Sequence, residues 1–182
     1  MTVIDQALAR WRIAKAGRHI PQGSQVLDVG CADGTLFSQL DDRLTGGVGI
    51  DACAGSWADG LKYRFVNGTF PEDLPDVGPF DAITMLAVLE HVPPDEQARW
   101  ASACARLLVT GGRLVVTVPA PSADHVLDGL RAVRLLEGME LHQHYGFEPR
   151  HAPKLFTDEG LHLRRSERFQ LGFNNLFVFE KP

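Results

Sequence analysis

Cysteine is scarce. Cys31, Cys53 and Cys104 are the only three, they are widely spaced, and no two form a C-x-x-C pair. A scattered, odd set of this kind argues against a zinc site or a disulfide framework and points to a reducing compartment, the cytoplasm. No run approaches the roughly 20 apolar residues of a membrane span. The first 20 residues carry no signal-peptide apolar block, so no membrane association or export is expected. Basic residues are in deficit, with 18 Lys and Arg against 23 Asp and Glu, a net charge of −5 and no basic run. That balance offers no grip on a phosphate backbone, and nucleic acid is not expected as a partner. Internal repeats, low-complexity tracts and Pro/Ser-rich linkers are also missing.

What is present fits one domain. The chain has 182 residues, 45% of them hydrophobic, enough for a full core without staples. Ile4, Leu8 and Trp11 fall on one helical face and predict a packed N-terminal helix. Strands are expected at 25–29, 47–50, 63–66, 80–86 and 112–118, with helices at 34–40 and 94–107. Pro93-Pro94 set up the second of these helices, Asp95 and Glu96 complement its dipole, and Gly111-Gly112 are expected to end it. Beyond Pro119, Val126, Leu127, Leu130, Val133 and Leu136 form an apolar helix stripe, followed by a His-rich stretch, 137–156, without periodicity. The tail returns to two strands, Arg164–Leu171 and Asn175–Lys181, joined by Gly172-Phe173-Asn174 as a hairpin turn. Alternating strands and helices closing in a hairpin suit a doubly wound α/β sheet whose last strand runs antiparallel.

The most informative segment is Val26-Leu27-Asp28-Val29-Gly30-Cys31-Ala32-Asp33-Gly34, a strand feeding a glycine-framed turn that opens a helix. Such turns bind nucleotides at the edge of open α/β sheets. Asp51, about 20 residues after Gly30 and at the end of the next apolar run, is placed to accept hydrogen bonds from ribose hydroxyls. The spacing is Gly30-x-x-x-Gly34, with Ala32 where the dinucleotide fingerprint needs its second glycine. Asp33 would repel a diphosphate but suits a ligand carrying an ammonium or sulfonium group. A nicotinamide-dependent reductase is therefore the less favoured alternative.

The loop resembles the first motif of the class I S-adenosylmethionine-dependent methyltransferases, D-x-G-x-x-x-G. Three later segments resemble the same family in its order and spacing. They are Pro79-Phe80-Asp81 through Leu89-Glu90-His91-Val92, Leu107-Leu108-Val109-Thr110-Gly111-Gly112 through Pro119, and Asn67-Gly68-Thr69-Phe70-Pro71-Glu72-Asp73-Leu74-Pro75. The resemblance covers roughly residues 20 to 120. It implies a seven-stranded, mostly parallel sheet with a C-terminal antiparallel hairpin in a three-layer αβα sandwich, with S-adenosylmethionine as cofactor and S-adenosylhomocysteine as product. It divides a single domain, 1–182, into an N-terminal helix (1–20), a cofactor-binding core (21–119), a substrate cover (120–160) and the hairpin (161–182). The cofactor set it implies is Asp28, Gly30, Cys31, Ala32, Asp33, Gly34, Asp51, Ala52, Gly68, Thr69, Phe70, Met85 and Leu86. Departures are visible. Thr69 replaces the family's usual adenine-binding Asp, Pro71 is an extra residue, Thr110 replaces a proline, and Met85 stands where small or polar residues are common. The helix usual between the second and third strands is reduced to a stub around Ser56–Leu61.

Methyl transfer asks the protein to orient a nucleophile and exclude water. His91, after the fourth strand, is the candidate general base, since an imidazole has a suitable pKa; packing or cofactor contact is the alternative role. His125, Arg131, Arg134, His142, His144 and Tyr145 are candidates for the acceptor pocket. Arg131 and Arg134 share a helix face, either gripping an anionic acceptor or lying solvated beside Asp128 and Glu137. His142 and His144 near Glu140 are too few to call for a metal, and none is expected. The N-P-P-Y-type motif of base amino methylation is absent, so a small-molecule acceptor is the leading expectation, and the resemblance implies oxygen as the methylated atom. A noncatalytic cofactor-binding or partner-dependent subunit is the alternative, since only the 120–160 segment remains to cover a site. A homodimer would be another way to close it.

Overall fold

Nearly continuous apolar runs become strands buried on both faces, as parallel sheets require. In the computed structural model, which describes residues 3–53, 60–120 and 147–182, β1 (Ser24–Val29) is buried at every position but Gln25. It is joined by β2 (Leu44–Asp51), β3 (Tyr63–Asn67), β4 (Phe80–Leu86), β5 (Leu108–Pro119), β6 (His162–Phe169) and β7 (Asn174–Glu180). The sheet has seven strands in the order β3-β2-β1-β4-β5-β7-β6. Strands β1 to β5 pair in parallel, and β7 runs antiparallel to both of its neighbours.

Side chains alternate across each strand, and this splits the core in two. Val26, Ala82 and Val115 pack on one face beneath Ile13 of α1 (Val3–Gly17) and Phe37 of α2 (Thr35–Leu40). Leu27, Ile83 and Val116 pack on the other beneath Cys104 of α3 (Pro94–Leu107) and Phe156 of α4 (Ala152–Thr157). The result is the expected three-layer αβα arrangement. Strand order reverses between β1 and β4, so their C-terminal ends open a crevice, the place where such sheets bind ligands. No helix among the described residues is long and apolar enough to cross a membrane.

The structure corrects several details of the sequence reading. The helix α1 forms, but its buried face carries Ile13, Ala16 and Gly17, while Ile4 and Trp11 are 41% and 48% exposed. The small residues win because they let the helix approach closely: a Cβ on Gly17 would lie 2.8 Å from Leu40 Cδ2. The strand β2 starts at Leu44, earlier than the expected 47, and runs through Gly46 and Gly47. A Cβ on Gly47 would meet Phe37 Cε1 at 2.5 Å, so this glycine is a packing site inside the strand. The helix α3 ends at Leu107, as expected, but the Gly111-Gly112 pair does not terminate it, since Leu108 is already extended. Those glycines instead belong to the irregular start of β5, where the register with β4 shifts between Phe80 and Ala82. Gly111 there, at φ +77°, donates its N–H to Lys181 O.

The strand β6 ends at Phe169, and a 3₁₀ turn, Gln170–Gly172, makes the connection to β7. The Gln170 side chain holds that turn, donating to Leu8 O at 2.8 Å and accepting from Asn174 Nδ2 at 2.6 Å. The stretch expected to lack periodicity contains α4, anchored by buried Ala152 and Phe156. Of the expected stub, residues 56–59 lie outside the described residues, and Gly60 and Leu61 are not helical.

Candidate functional site

The site grows from the end of β1. Gly30 adopts φ +75° and donates its N–H to Ile50 O at 2.8 Å, bending the chain toward β2. A Cβ there would lie 2.3 Å from Val88 Cγ2, so only glycine lets the turn after β4 close against the loop. Ala32 follows at φ +43°, and Gly34, at φ +65°, precedes the first turn of α2. Asp51, the last residue of β2, ties the loop down. Its Oδ2 accepts the Ala32 N–H at 2.9 Å and its Oδ1 the Cys53 N–H at 2.8 Å. Asp33 turns back on its own helix, accepting from Thr35 N and Oγ1 at 3.2 and 2.5 Å.

Asp28 lies beneath the loop, 4% exposed, and accepts a 2.6 Å hydrogen bond from Thr84 Oγ1 on β4. Burial pushes its carboxyl up to about 7, the Thr84 bond pulls the other way, and the Asp51 charge adds a further upward push. Burial also pushes the Cys31 thiol up to about 12, with help from Asp28 and Asp51. Cys31 is thus a neutral packing residue against β2 and not a nucleophile.

These groups surround a cavity of about 630 Å³. From β1 and its loop, Asp28, Gly30, Cys31, Ala32 and Asp33 line it. Asp51 and Ala52 line it from the end of β2, Gly68, Thr69 and Phe70 from the end of β3, and Leu86 from β4. His91, exposed at the end of a 3₁₀ turn (Leu89–His91), is on the same wall. Gly34 shapes the loop without lining the cavity. Met85 does not reach it: alternation along β4 sends Leu86 to the wall and Met85 into the core, where it is fully buried. His125, Arg131, Arg134, His142, His144 and Tyr145 lie outside the described residues.

Sequence reasoning missed part of the wall. Arg12 reaches it from α1, beside Ala9 and Ile13, and Glu96 and Trp100 reach it from α3. Burial draws the Arg12 guanidinium below its ordinary value, opposed by the charge of Glu90. Among the described residues, Arg12 Nε has no hydrogen-bond partner. The available signal was an arginine adjacent to Ile13 on the helix side that carries Ala16. Trp100 packs edge-on to Phe70, with centroids 5.2 Å apart, a contact that no spacing rule predicts.

A glycine loop clamped by an acid at the end of β2, over a cavity at the strand-order reversal, is the arrangement that the motifs implied. The family comparison agrees, for a methyltransferase domain model matches residues 4–166. The chain belongs to this methyltransferase family. Among its curated relatives, the ubiquinone biosynthesis O-methyltransferase of Xylella fastidiosa is 33% identical over 172 residues, covering 86% of this chain and 69% of that protein. The enzyme of the same name from Pseudomonas aeruginosa is 31% identical over 125 residues, covering 63% of this chain and 51% of its own length. The chain thus spans about half the length of the Pseudomonas relative. The solved structure of 1,6-didemethyltoxoflavin-N1-methyltransferase from Burkholderia thailandensis superposes with a TM-score of 0.73 at 19% identity, covering 98% of this chain and 80% of that one. That likeness is one of methyltransferase fold.

Proposed function

We propose that this chain transfers a methyl group from S-adenosylmethionine to an oxygen of a small-molecule acceptor. The observation that carries the reading is the loop Gly30–Gly34, closed against Val88 and pinned by Asp51 at the mouth of the cavity. The cradle fits the cofactor: its backbone approaches where a Cβ could not, and acids rather than cations flank the loop. The chemistry supplied there is an electrophilic methyl carbon on a sulfonium, with S-adenosylhomocysteine as the product.

The residues divide the remaining work. Each Asp51 oxygen keeps a lone pair beyond its backbone bond, enough to accept both ribose hydroxyls. Asp28 faces the ammonium, which favours its ionised form. Arg12, a cation on the wall whose Nε has no hydrogen-bond partner among the described residues, suits the methionyl carboxylate. Gly68, Thr69 and Phe70 border the adenine. His91, exposed on the wall, takes the proton of the acceptor hydroxyl as its oxygen attacks. Oxygen as the acceptor atom draws support from the curated relatives, both named as O-methyltransferases. The three free cysteines support a reducing compartment, the cytoplasm.

Calorimetric titration with S-adenosylmethionine, S-adenosylhomocysteine and, separately, nicotinamide dinucleotides tests the cofactor. Micromolar binding of the sulfur compounds alone is expected, whereas binding of a dinucleotide alone would overturn the reading. Incubation with methyl-labelled cofactor and a metabolite extract then tests turnover. Labelled product together with S-adenosylhomocysteine is expected; binding without either would make the chain a noncatalytic or partner-dependent subunit.

A further inference from the structure

The helix α1 has two distinct sides. Ala9, Arg12 and Ile13 line the cavity. Ile4 and Trp11, seven residues apart and so on one face, are instead 41% and 48% exposed. The turn after β6 adds to that outer face. Its Gln170 donates to Leu8 O at 2.8 Å, which seats the turn against α1. The next residue, Leu171, is 90% exposed and held at φ +57°. A bulky side chain rarely takes that conformation, and here it leaves an apolar group facing solvent.

The charge of this surface is opposite to that of the chain. Elements α1 and β6 carry six basic residues against two acids, Asp5 and Glu167, while the whole chain has a net charge of −5. Glu167 joins the two elements and is outnumbered. Lys15 Nζ and Arg165 Nη2 each lie 3.0 Å from its oxygens, and His19 Nε2 lies at 3.6 Å. Arg10, Arg18 and Arg168 are exposed, and no acid among the described residues pairs with them. Protruding apolar side chains beside unneutralised guanidinium groups fit a fluid, anionic surface. A folded partner would need a pocket shaped for each of them. Tryptophan suits such a boundary, with its ring in the apolar layer and its N–H in the wet one. Net charge conceals the feature, because it averages over faces that a surface meets one at a time.

We propose that the outer face of α1 and the turn after β6 rest on an anionic phospholipid surface. Ile4, Trp11 and Leu171 enter the headgroup layer, while Arg10, Arg18 and the arginines of β6 are drawn to lipid phosphates. The contact is peripheral and needs no helix that crosses the bilayer. It stands independently of the cofactor reading, since the cavity lies on the other side of α1.

Sedimentation of the full chain with vesicles tests this. Phosphatidylglycerol vesicles should bind it about tenfold or more tightly than phosphatidylcholine vesicles, with the difference shrinking in high salt. Trp11→Gln combined with Leu171→Asn removes two apolar groups, and asparagine tolerates the left-handed backbone at position 171. This variant should keep the melting temperature of the native chain and lose about tenfold or more in affinity for phosphatidylglycerol vesicles. Arg10→Gln with Arg18→Gln should weaken binding most at low salt. Absence of binding to phosphatidylglycerol, equal binding to both lipids, or undiminished binding by the folded apolar variant overturns the proposal. So does binding to soluble polyglutamate without binding to vesicles, which would assign the face to an acidic protein. A dimer in vesicle-free solution that the apolar variant dissociates would assign it to a second copy and overturn the proposal as well.

Discussion

Thr84 on β4 donates a 2.6 Å hydrogen bond to Asp28 Oδ1 on β1, across two adjacent strands at the floor of the cavity. A buried carboxyl with one good donor is only partly compensated for leaving water, and so its pKa rises to about 7. In the unfolded chain the same group titrates near the ordinary aspartate value of about 3.9. The folded-state value is the higher one. Stability contributed by the neutral acid is therefore fully present below about pH 4 and is lost as the pH rises to about 7.

Asp28→Asn removes this charge and keeps a partner for Thr84. Without ligand, the variant should match the wild type in melting temperature at or below about pH 4 and exceed it at pH 8. The expected gain at pH 8 is on the order of 1–3 kcal/mol. Its affinity for S-adenosylmethionine should fall tenfold or more, because the ammonium loses a charged partner. Equal melting temperatures at both pH values would show that Asp28 is not the group responsible.

Asp51→Ala removes the acceptor for the Ala32 and Cys53 amides as well as the ribose acid. Losing hydrogen bonds to a charged group costs about 1.5–3 kcal/mol. Cofactor affinity should fall tenfold or more by calorimetry. An affinity within twofold of the wild type would remove Asp51 from the site.

Gly30→Ala places a methyl group 2.3 Å from Val88 Cγ2 in a residue held at φ +75°. The left-handed backbone alone costs roughly 1–2 kcal/mol, with the clash added to it. Chemical denaturation should show a loss of that order together with loss of cofactor binding. Adding Val88→Ala should restore part of the stability, since it relieves the clash and leaves the backbone strain. Strict additivity of the two changes would mean that the residues do not meet.

His91→Ala tests the base. With an acceptor in hand, kcat should fall about 100-fold or more while cofactor affinity stays within threefold. A parallel loss of both would assign His91 to cofactor packing.

Much of this molecule was legible locally. The strand β4 and the helix α3 occupy the residues expected of them, 80–86 and 94–107, because Pro93-Pro94 and the acids after them are start signals carried by the chain itself. The glycine loop and Asp51 were equally readable, for a backbone that must turn sharply beside a ligand restricts residue type at fixed spacing. What the sequence by itself determined, then, is the order of elements, the cradle and the acid at the end of β2.

The tertiary structure decided the rest, wherever a residue's role depends on what lies against it. Gly47 reads only as the first residue of a strand until Phe37 packs onto it, and Ile4 and Trp11 read as core until Ile13, Ala16 and Gly17 take the buried face. The choice of Leu86 over Met85 on the cavity wall and the arrival of Arg12 from α1 are likewise set by three-dimensional approach. Periodicity gives a side chain its direction along its own element, but only packing between elements says what it will face.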